Sequence, residues 1–241
     1  LASELLATSE ECLLVGDGPA ALGHYARGIL HVRLAASAMP PDLLDIEEQW
    51  LHLVTGAHTP PEGFRWCLDL LTLARRKPTP ADVSASPVLI VAGGAATVSA
   101  AGVDEVRDLL RKALRGLSGL VISGGTKVGV PGCVGEVAAE LRAAGQGAFR
   151  TRGYLPKSRG DDAPRDDRYD ELIVQGETFS PEQILRCWQD LLVAGVSPTS
   201  VRLLGYGGGR IAACEYRIAL ALGASVGLVV TSGGSVDAML K

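Results

Sequence analysis

The sequence lacks the features that mark two broad classes of protein. No apolar run reaches the roughly 18 residues that a membrane-spanning helix needs. The longest candidates, at 87–103 and 223–231, are interrupted by glycine and polar residues. The net charge of −4 at pH 7 supplies no basic surface of the kind that binds a nucleic-acid backbone. We therefore predict a soluble protein that neither spans a membrane nor binds nucleic acid.

Paired cysteines and clustered metal ligands are also missing. All four histidines precede residue 60, without an acid or a cysteine at metal-ligand spacing, so we predict no metal site.

The chain does not open with a charged segment followed by an apolar one, as a signal peptide would, and we expect a cytoplasmic location. A first residue other than Met is consistent with a segment of a longer effector protein. Five scattered cysteines without a C-x-x-C pair are typical of reduced cytosolic thiols: Cys12, Cys67, Cys133, Cys187 and Cys214.

A proline-rich stretch divides the chain into two regions. Residues 75–87 contain three prolines and several small polar residues without periodicity, a composition typical of a linker. Residues 1–80 are predicted to be mostly helical, and the sequence leaves their role open. Residues 87–241 alternate short apolar segments with amphipathic helical patterns and are the predicted ligand-binding domain.

The second region has the pattern of a parallel α/β sheet. Ser180, Pro181 and Gln183 form a capping-box pattern that predicts a helix start, and Gly195 ends that helix. Short apolar strands separated by helices require a sheet that is covered on both faces. The predicted fold is a Rossmann-like, doubly wound, mainly parallel α/β sheet whose strand order no pattern determines. The predicted strands are 88–91, 120–122, 149–155, 172–174, 201–204 and 226–230.

Glycine is the residue in excess, with 30 of 241 residues against an average share of about 7%. Three glycine turns follow predicted strands: Gly93-Gly94, Gly124-Gly125-Thr126 and 205–209. The carboxyl ends of parallel strands share one edge of the sheet, where helix N-termini present free N–H groups. Glycine lets phosphate or ribose approach the backbone, and Thr126 adds a hydroxyl. The three turns therefore predict a site for a phosphate-bearing, nucleotide-like ligand.

Two common nucleotide motifs are absent from these turns. None reads G-x-x-x-x-G-K-[ST], which argues against a P-loop NTPase. None reads G-x-G-x-x-G with an acid about 20 residues later, the pattern of dinucleotide binding. We expect no required cofactor and a nucleotide-derived ligand instead.

Residues 122–138 carry a resemblance to a known family. They read Ile-Ser-Gly-Gly-Thr-Lys-Val-Gly-Val-Pro-Gly-Cys-Val-Gly-Glu-Val-Ala. This segment resembles the SLOG superfamily domain at the cytosolic N-terminus of melastatin-type TRP channels and in its prokaryotic relatives. The resemblance implies a sensor that binds ADP-ribose, a cyclic nucleotide or a similar messenger and regulates an attached or partner effector. We also expect a homo-oligomer. The contacts that it implies are Gly93, Gly94, Gly124, Gly125, Thr126, Gly129, Gly207, Gly208, Gly209 and Arg210.

A second branch of the superfamily leaves an enzymatic function open. The lonely-guy phosphoribohydrolases use Pro-Gly-Gly-x-Gly-Thr-x-x-Glu, and residues 207–215 read Gly-Gly-Gly-Arg-Ile-Ala-Ala-Cys-Glu. The double glycine and the glutamate keep their spacing, while the proline, the third glycine and the threonine are lost. Because residues 87–241 contain no histidine, catalysis would depend on a carboxylate. Glu215, or alternatively Glu136, would then cleave an N-glycosidic bond.

Several residues near the turns have more than one interpretation. Glu215 lies on the apolar stripe of its helix, where an unpaired carboxylate is costly and needs a partner or a raised pKa. It reaches solvent at the margin of the stripe, contacts the ligand ribose or the reacting bond, or forms an internal ion pair. Arg210 opens the same helix, where a positive charge is disfavoured, and is either a phosphate contact or a surface residue. Tyr206 either stacks on a base or packs in the core. Ser232 follows the last strand and is a candidate fourth wall of the site.

The loop at 157–170 is dense in charges of both signs. Such loops are commonly solvated. Because this one follows the third predicted strand, it is alternatively a mobile lid whose Arg159, Arg165 or Arg168 reaches phosphate.

Overall fold

The computed structural model describes residues 87–94 and 98–240 and six isolated positions in the first 28 residues. Residues 75–86 of the predicted linker, and all but those six positions of the predicted helical region, lie outside the described residues. Ala21 is buried in an apolar cluster of the sheet, and Cys12 packs against that cluster. The six isolated positions are helical: Thr8, Ser9, Cys12, Ala21, His24 and Gly28.

Within residues 87–240 the described chain alternates strands and helices as predicted. Each predicted strand forms, with ends shifted by one or two residues, because the apolar runs that define the strands are what the sheet buries. The elements are β1 (Val88–Gly93), α1 (Ala100–Leu114), β2 (Ser118–Ser123), α2 (Gly129–Ala143), β3 (Ala148–Leu155), β4 (Glu171–Val174), α3 (Glu182–Val193), a 3-10 turn (Pro198–Ser200), β5 (Val201–Tyr206), α4 (Arg210–Leu222), β6 (Ser225–Leu228) and α5 (Gly234–Met239).

The six strands form one parallel sheet in the order β4-β3-β2-β1-β5-β6. β1 is central, and its Val88 pairs with Leu120 of β2 on one side and with Val201 of β5 on the other. Strands β2, β3 and β4 are added in chain order on one side of β1. The chain then crosses back, and β5 pairs with the other side of β1. Ligands of open parallel sheets bind at the carboxyl ends of the strands where the strand order reverses in this way. Here that point lies between β1 and β5.

Helices cover both faces of the sheet. Val88, Ile90 and Ala92 of β1 lie in an apolar cluster with α3 and α4, whereas Val91 lies in a second cluster with α1 and α2. Adjacent side chains of a strand point to opposite faces, so one strand contributes to both layers. The prediction of a Rossmann-like, doubly wound α/β fold is confirmed.

The predicted capping box is present at the start of α3. Ser180 Oγ accepts a hydrogen bond from the Glu182 N–H at 3.2 Å, and Gln183 Oε1 accepts one from the Ser180 N–H at 2.8 Å. The Gln183 amide also donates to the carbonyl of Gln175 at 2.6 Å, which ties the helix start to the end of β4. Gly195 follows the helix with a φ of +79°, a conformation that favours glycine.

Two features are absent from the described residues. No helix in this part of the chain has both the length and the hydropathy to cross a membrane. No group of three or more His, Cys, Asp or Glu side chains in it is placed to hold a metal ion.

Candidate functional site

A cavity of about 500 Å³ lies at the carboxyl edge of the sheet, beside the point where the strand order reverses. Its walls are the ends of β1 and β2, the first turns of α4 and one side of α3. Cavities of this size commonly hold small molecules. Arg210 and Glu215 carry the only charges among the described residues that line it.

Parts of all three glycine turns meet at this cavity. The lining residues that the sequence predicted are Gly93, Gly94, Gly124, Thr126, Gly209, Arg210 and Glu215. The strand order explains the meeting, because β2 and β5 both pair with β1. That these residues bind a ligand stays a prediction.

Six other predicted residues lie outside the lining set. Tyr206 is buried in the cluster under α1 and α2, and its hydroxyl donates to Glu105 Oε2 at 2.6 Å. Ser232 Oγ accepts a hydrogen bond from the Gly207 N–H at 2.8 Å, so this serine supports the turn that follows β5. The six residues are Gly125, Gly129, Tyr206, Gly207, Gly208 and Ser232.

Two of the glycines that do not line the cavity, Gly125 and Gly208, are required by the packing of the protein itself. Gly125 and Gly208 have φ angles of +73° and +91°. A Cβ on Gly125 would come within 2.8 Å of Leu172 Cδ2, and one on Gly208 within 2.4 Å of the Ala212 Cβ. These two positions need glycine whether or not a ligand binds.

Gly209 is different, because the protein itself does not require a glycine there. Its φ of −105° is accessible to every residue, and an added Cβ would meet no atom within 4 Å. The residue nevertheless lines the cavity. A glycine at this position leaves the backbone accessible to a molecule in the cavity.

The start of α4 opens onto the cavity without a side-chain cap. Gly209 occupies the N-cap position and has no side chain with which to cap the helix. The first N–H groups of a helix have no acceptor within the helix. Because Gly209, Arg210, Ile211 and Ala212 all line the cavity, this helix start can bind an anion there.

Thr126 presents a hydroxyl without a partner. The residue is 1% exposed, and among the described residues nothing forms a hydrogen bond with its Oγ1. A buried hydroxyl in this state costs free energy, and Thr126 is one of the residues that line the cavity. The backbone of Thr126 is fixed by an antiparallel bridge to Arg165.

Glu215 presents a carboxyl without a partner. It lies five residues after Arg210, about 7.5 Å further along the helix axis, and the accessible part of its side chain faces the cavity. No hydrogen bond or ion pair to it forms within the described part of the chain. Burial raises the pKa of Glu215 from 4.5 to about 7. The residue therefore changes charge near neutral pH.

The other candidate carboxylate, Glu136, lies on the surface. It pairs with Arg107 at 2.8 Å, and its side chain is 42% exposed. Because Glu136 does not line the cavity, Glu215 is the carboxylate with access to a bound ligand.

One wall of the cavity was missed by reasoning from the sequence. Gln183, Ile184 and Cys187 of α3 line it, together with Phe179 just before the helix. Phe179 is 41% exposed, which is unusual for a large apolar side chain. The helical pattern marked Ile184 as a residue of the buried face. The one available signal was the capping box, which places the start of α3 at the carboxyl edge of the sheet.

Cys187 and Tyr154 border the cavity in their neutral forms. Burial, followed by the charge of nearby Glu215, raises the pKa of the Cys187 thiol well above its ordinary value. Burial also raises the pKa of Tyr154, whose hydroxyl donates to Asp190 Oδ2 at 3.0 Å. Neither group is poised to act as a nucleophile at neutral pH.

The mixed-charge loop does not form a wall of the cavity. Arg165 pairs with Asp167 at 3.0 Å, and Arg168 pairs with Asp166 at 2.8 Å. Arg159 donates to a backbone carbonyl three residues before it at 2.7 Å. The three arginines considered as lid contacts all have partners within the loop.

Comparison with known proteins finds distant structural likenesses. No family model and no curated protein matches the chain. The structural genomics target TM1055 is 25% identical over 63% of this chain and 79% of that chain, with a TM-score of 0.43. The molybdenum cofactor carrier protein of Chlamydomonas reinhardtii is 18% identical over 64% and 96%, with a TM-score of 0.39. The molybdenum cofactor binding protein of Rippkaea orientalis is 15% identical over 64% and 94%, with a TM-score of 0.33.

These TM-scores lie below 0.5, so the likenesses identify neither a ligand nor an activity. The relation to SLOG domains stays a prediction from the sequence.

Proposed function

We propose that this chain binds a nucleotide derivative in the cavity and thereby regulates an attached or partner effector. The observation that carries the proposal is the meeting of three polar groups at one cavity. They are the start of α4 at Gly209, the side chain of Thr126 and the carboxyl of Glu215. Each of them is able to bind a polar part of such a ligand.

The phosphate end of the ligand is assigned to the start of α4. Backbone N–H groups at a helix N-terminus bind anions, and Gly209 allows a phosphate oxygen to reach them. Thr126 donates its hydroxyl from the neighbouring turn. Arg210 contributes positive charge at the same end of the cavity, where its side chain is exposed.

The sugar and base are assigned to the inner part of the cavity. Glu215 lies about 7.5 Å along α4 from Arg210, so its carboxyl is separated from the phosphate. It accepts hydrogen bonds from sugar hydroxyls or from a base amino group. Apolar residues such as Ile122 and Ile184 line this part, and Phe179 offers an exposed ring against which a base can stack.

A thermal-shift panel tests this function. The compounds are AMP, cyclic AMP and ADP-ribose, with ribose and inorganic phosphate as fragments. We expect at least one nucleotide to stabilise the chain, by about 2.7 kcal/mol at 100 times its Kd, and the fragments to have smaller effects. Absence of a shift with every nucleotide would contradict the proposal.

Gly209→Ala tests where the ligand lies. The substitution is compatible with the local backbone and packing, so we expect no loss of stability. The added methyl group obstructs the path to the α4 N–H groups, and we expect Kd to rise about 10-fold or more. The matched control is Gly227→Ala in the exposed part of β6, where a Cβ would contact only the Leu203 carbonyl at 3.9 Å. Equal affinity of both variants would contradict the assignment.

Glu215 also favours a second candidate function, hydrolysis of an N-glycosidic bond. A carboxyl whose pKa is about 7 is suited to proton transfer at neutral pH. In this reaction the bond between the sugar and the base breaks, water supplies a hydroxyl to the sugar carbon, and a proton goes to the base. Chromatography of nucleoside monophosphates after incubation would detect the free base. Release that disappears in Glu215→Gln would establish the enzyme, and absence of release by a chain that binds nucleotide would favour the sensor.

A further inference from the structure

The segment 163–170 runs along the back of the Gly124-Gly125-Thr126 turn. The Lys127 N–H donates to the Pro164 carbonyl at 2.8 Å, and the Asp166 N–H donates to the Gly125 carbonyl at 2.9 Å. These two bonds flank the antiparallel bridge between Thr126 and Arg165. The segment therefore fixes the backbone of the turn that carries the unpartnered hydroxyl.

Asp166 is a buried charge at the centre of this segment. The residue is 0% exposed, and both carboxylate oxygens accept hydrogen bonds from the Arg168 guanidinium at 2.8 Å. The Arg168 N–H adds a third bond to Oδ1 at 3.1 Å. A buried carboxylate is strongly destabilising without such partners, so the segment has one favourable conformation.

The same segment holds the start of α2. Arg168 Nη2 donates to the Gly132 carbonyl at 3.2 Å, and the Tyr169 hydroxyl donates to the Pro131 carbonyl at 2.7 Å. A Cβ on Gly135 would lie 2.2 Å from Asp166 Oδ2. Gly135, in the segment that resembles SLOG domains, is thus the residue against which this carboxylate packs. Pro131 itself lines the cavity.

We propose that Asp166 is a positioning residue for the cavity, which it serves by locking segment 163–170 against the Gly124-Gly125-Thr126 turn and the start of α2. This inference rests on the proposed function, because the locked turn presents Thr126 to the ligand. Asp166 and Arg168 do not themselves line the cavity. Their effect on binding passes through the turn, which is held ready before the ligand arrives.

The test compares Asp166→Asn with Asp167→Asn. Both variants remove one negative charge from adjacent positions, but the Asp167 side chain is 72% exposed and, among the described residues, pairs with Arg165 alone. Amide hydrogen exchange is measured in the protein without ligand. The Kd is measured for AMP and for ADP-ribose.

In Asp166→Asn we expect exchange of the Lys127 amide to become about 10-fold faster, the factor that corresponds to loss of one charge-assisted hydrogen bond. We expect the amides of β1 and α4 to be unaffected. The Kd should rise about 10-fold, while Asp167→Asn should match the unmodified protein in both measurements. Arg168→Lys, which keeps the charge but loses the two-pronged contact, replaces Asp166→Asn if that variant fails to fold.

Two results would overturn the inference. One is exchange at Lys127 that is equal in the two Asp variants. The other is faster exchange spread evenly over β1 and α4, which would indicate general destabilisation. If the unmodified protein binds no nucleotide, the proposed function fails, whereas the exchange measurement still decides whether Asp166 fixes the turn.

Discussion

Glu215 shows how surroundings set the chemistry of a single residue. Its spacing placed it on the apolar stripe of a helix, which left open whether the carboxyl reaches solvent or loses water. In the folded chain it lines the cavity, and burial raises its pKa from 4.5 to about 7. The carboxyl therefore opposes folding whenever it is ionised.

The pH dependence of stability tests this conclusion. A carboxyl with a higher pKa in the folded than in the unfolded state destabilises the fold fully above pH 7 and has no such effect below pH 4.5. The shift corresponds to about 3 kcal/mol. We expect Glu215→Gln to raise the free energy of unfolding by up to about 3 kcal/mol at pH 8, and to change it much less at pH 5. Urea unfolding at the two pH values measures both.

Glu140→Gln is the matched control for this experiment. Glu140 lies on the surface of α2 with its side chain 50% exposed, where it pairs with Arg111 at 3.0 Å. An exposed pair of this kind contributes at most about 1 kcal/mol. If Glu215→Gln gave the same small change as the control at both pH values, the buried carboxyl would not be the source of a pH dependence.

Among the secondary-structure elements, helix starts distinguish the cavity from the rest of the fold. α1 is capped by Ser99, whose Oγ accepts from the Gly102 N–H at 3.2 Å, and α3 is capped by Ser180. At the start of α2, the Val130 N–H donates to the carbonyl of Gly94. α4 begins after Gly209, which has no side chain to cap the helix, and this helix start lines the cavity. We expect a ligand anion to bind there.

The two serine caps provide a matched pair of substitutions. Ser180→Ala and Ser99→Ala each remove a cap hydrogen bond, and we expect each to lower the free energy of unfolding by about 1 kcal/mol. Only Ser180 lines the cavity, so only Ser180→Ala should weaken nucleotide binding. Urea unfolding and calorimetric titration separate the two effects. Equal loss of affinity in both variants would show that α3 has no special part in the site.

The elements themselves were predictable from short stretches of sequence. Apolar runs identified the strands, and the Ser180 and Gln183 pattern identified the start of α3. The contribution of α3 to the cavity was not predictable, because Ile184 and Cys187 have the spacing of ordinary core residues. Their exposure to a cavity depends on the gap between α3 and α4, which no local pattern encodes.

At the scale of the whole molecule, strand order creates the candidate site. β1 lies between β2 and β5, although β5 begins at Val201, far from β1 in the chain. This pairing brings Gly94, Gly124 and Gly209 to one cavity. The apolar cluster that contains α3 and α4 also includes a residue from the first region of the chain, because Ala21 is buried in it.

The sequence by itself determined the α/β class, the strands and the glycine turns, because these depend on local periodicity and on backbone conformations that glycine favours. It also identified Glu215 and Thr126 as candidates. Only the tertiary structure decided which glycines reach the cavity, that Glu136 and Tyr206 have partners elsewhere, and that Asp166 locks the turn from behind. Those outcomes depend on contacts between residues distant in the chain, whose burial and hydrogen bonding are fixed only when the sheet assembles.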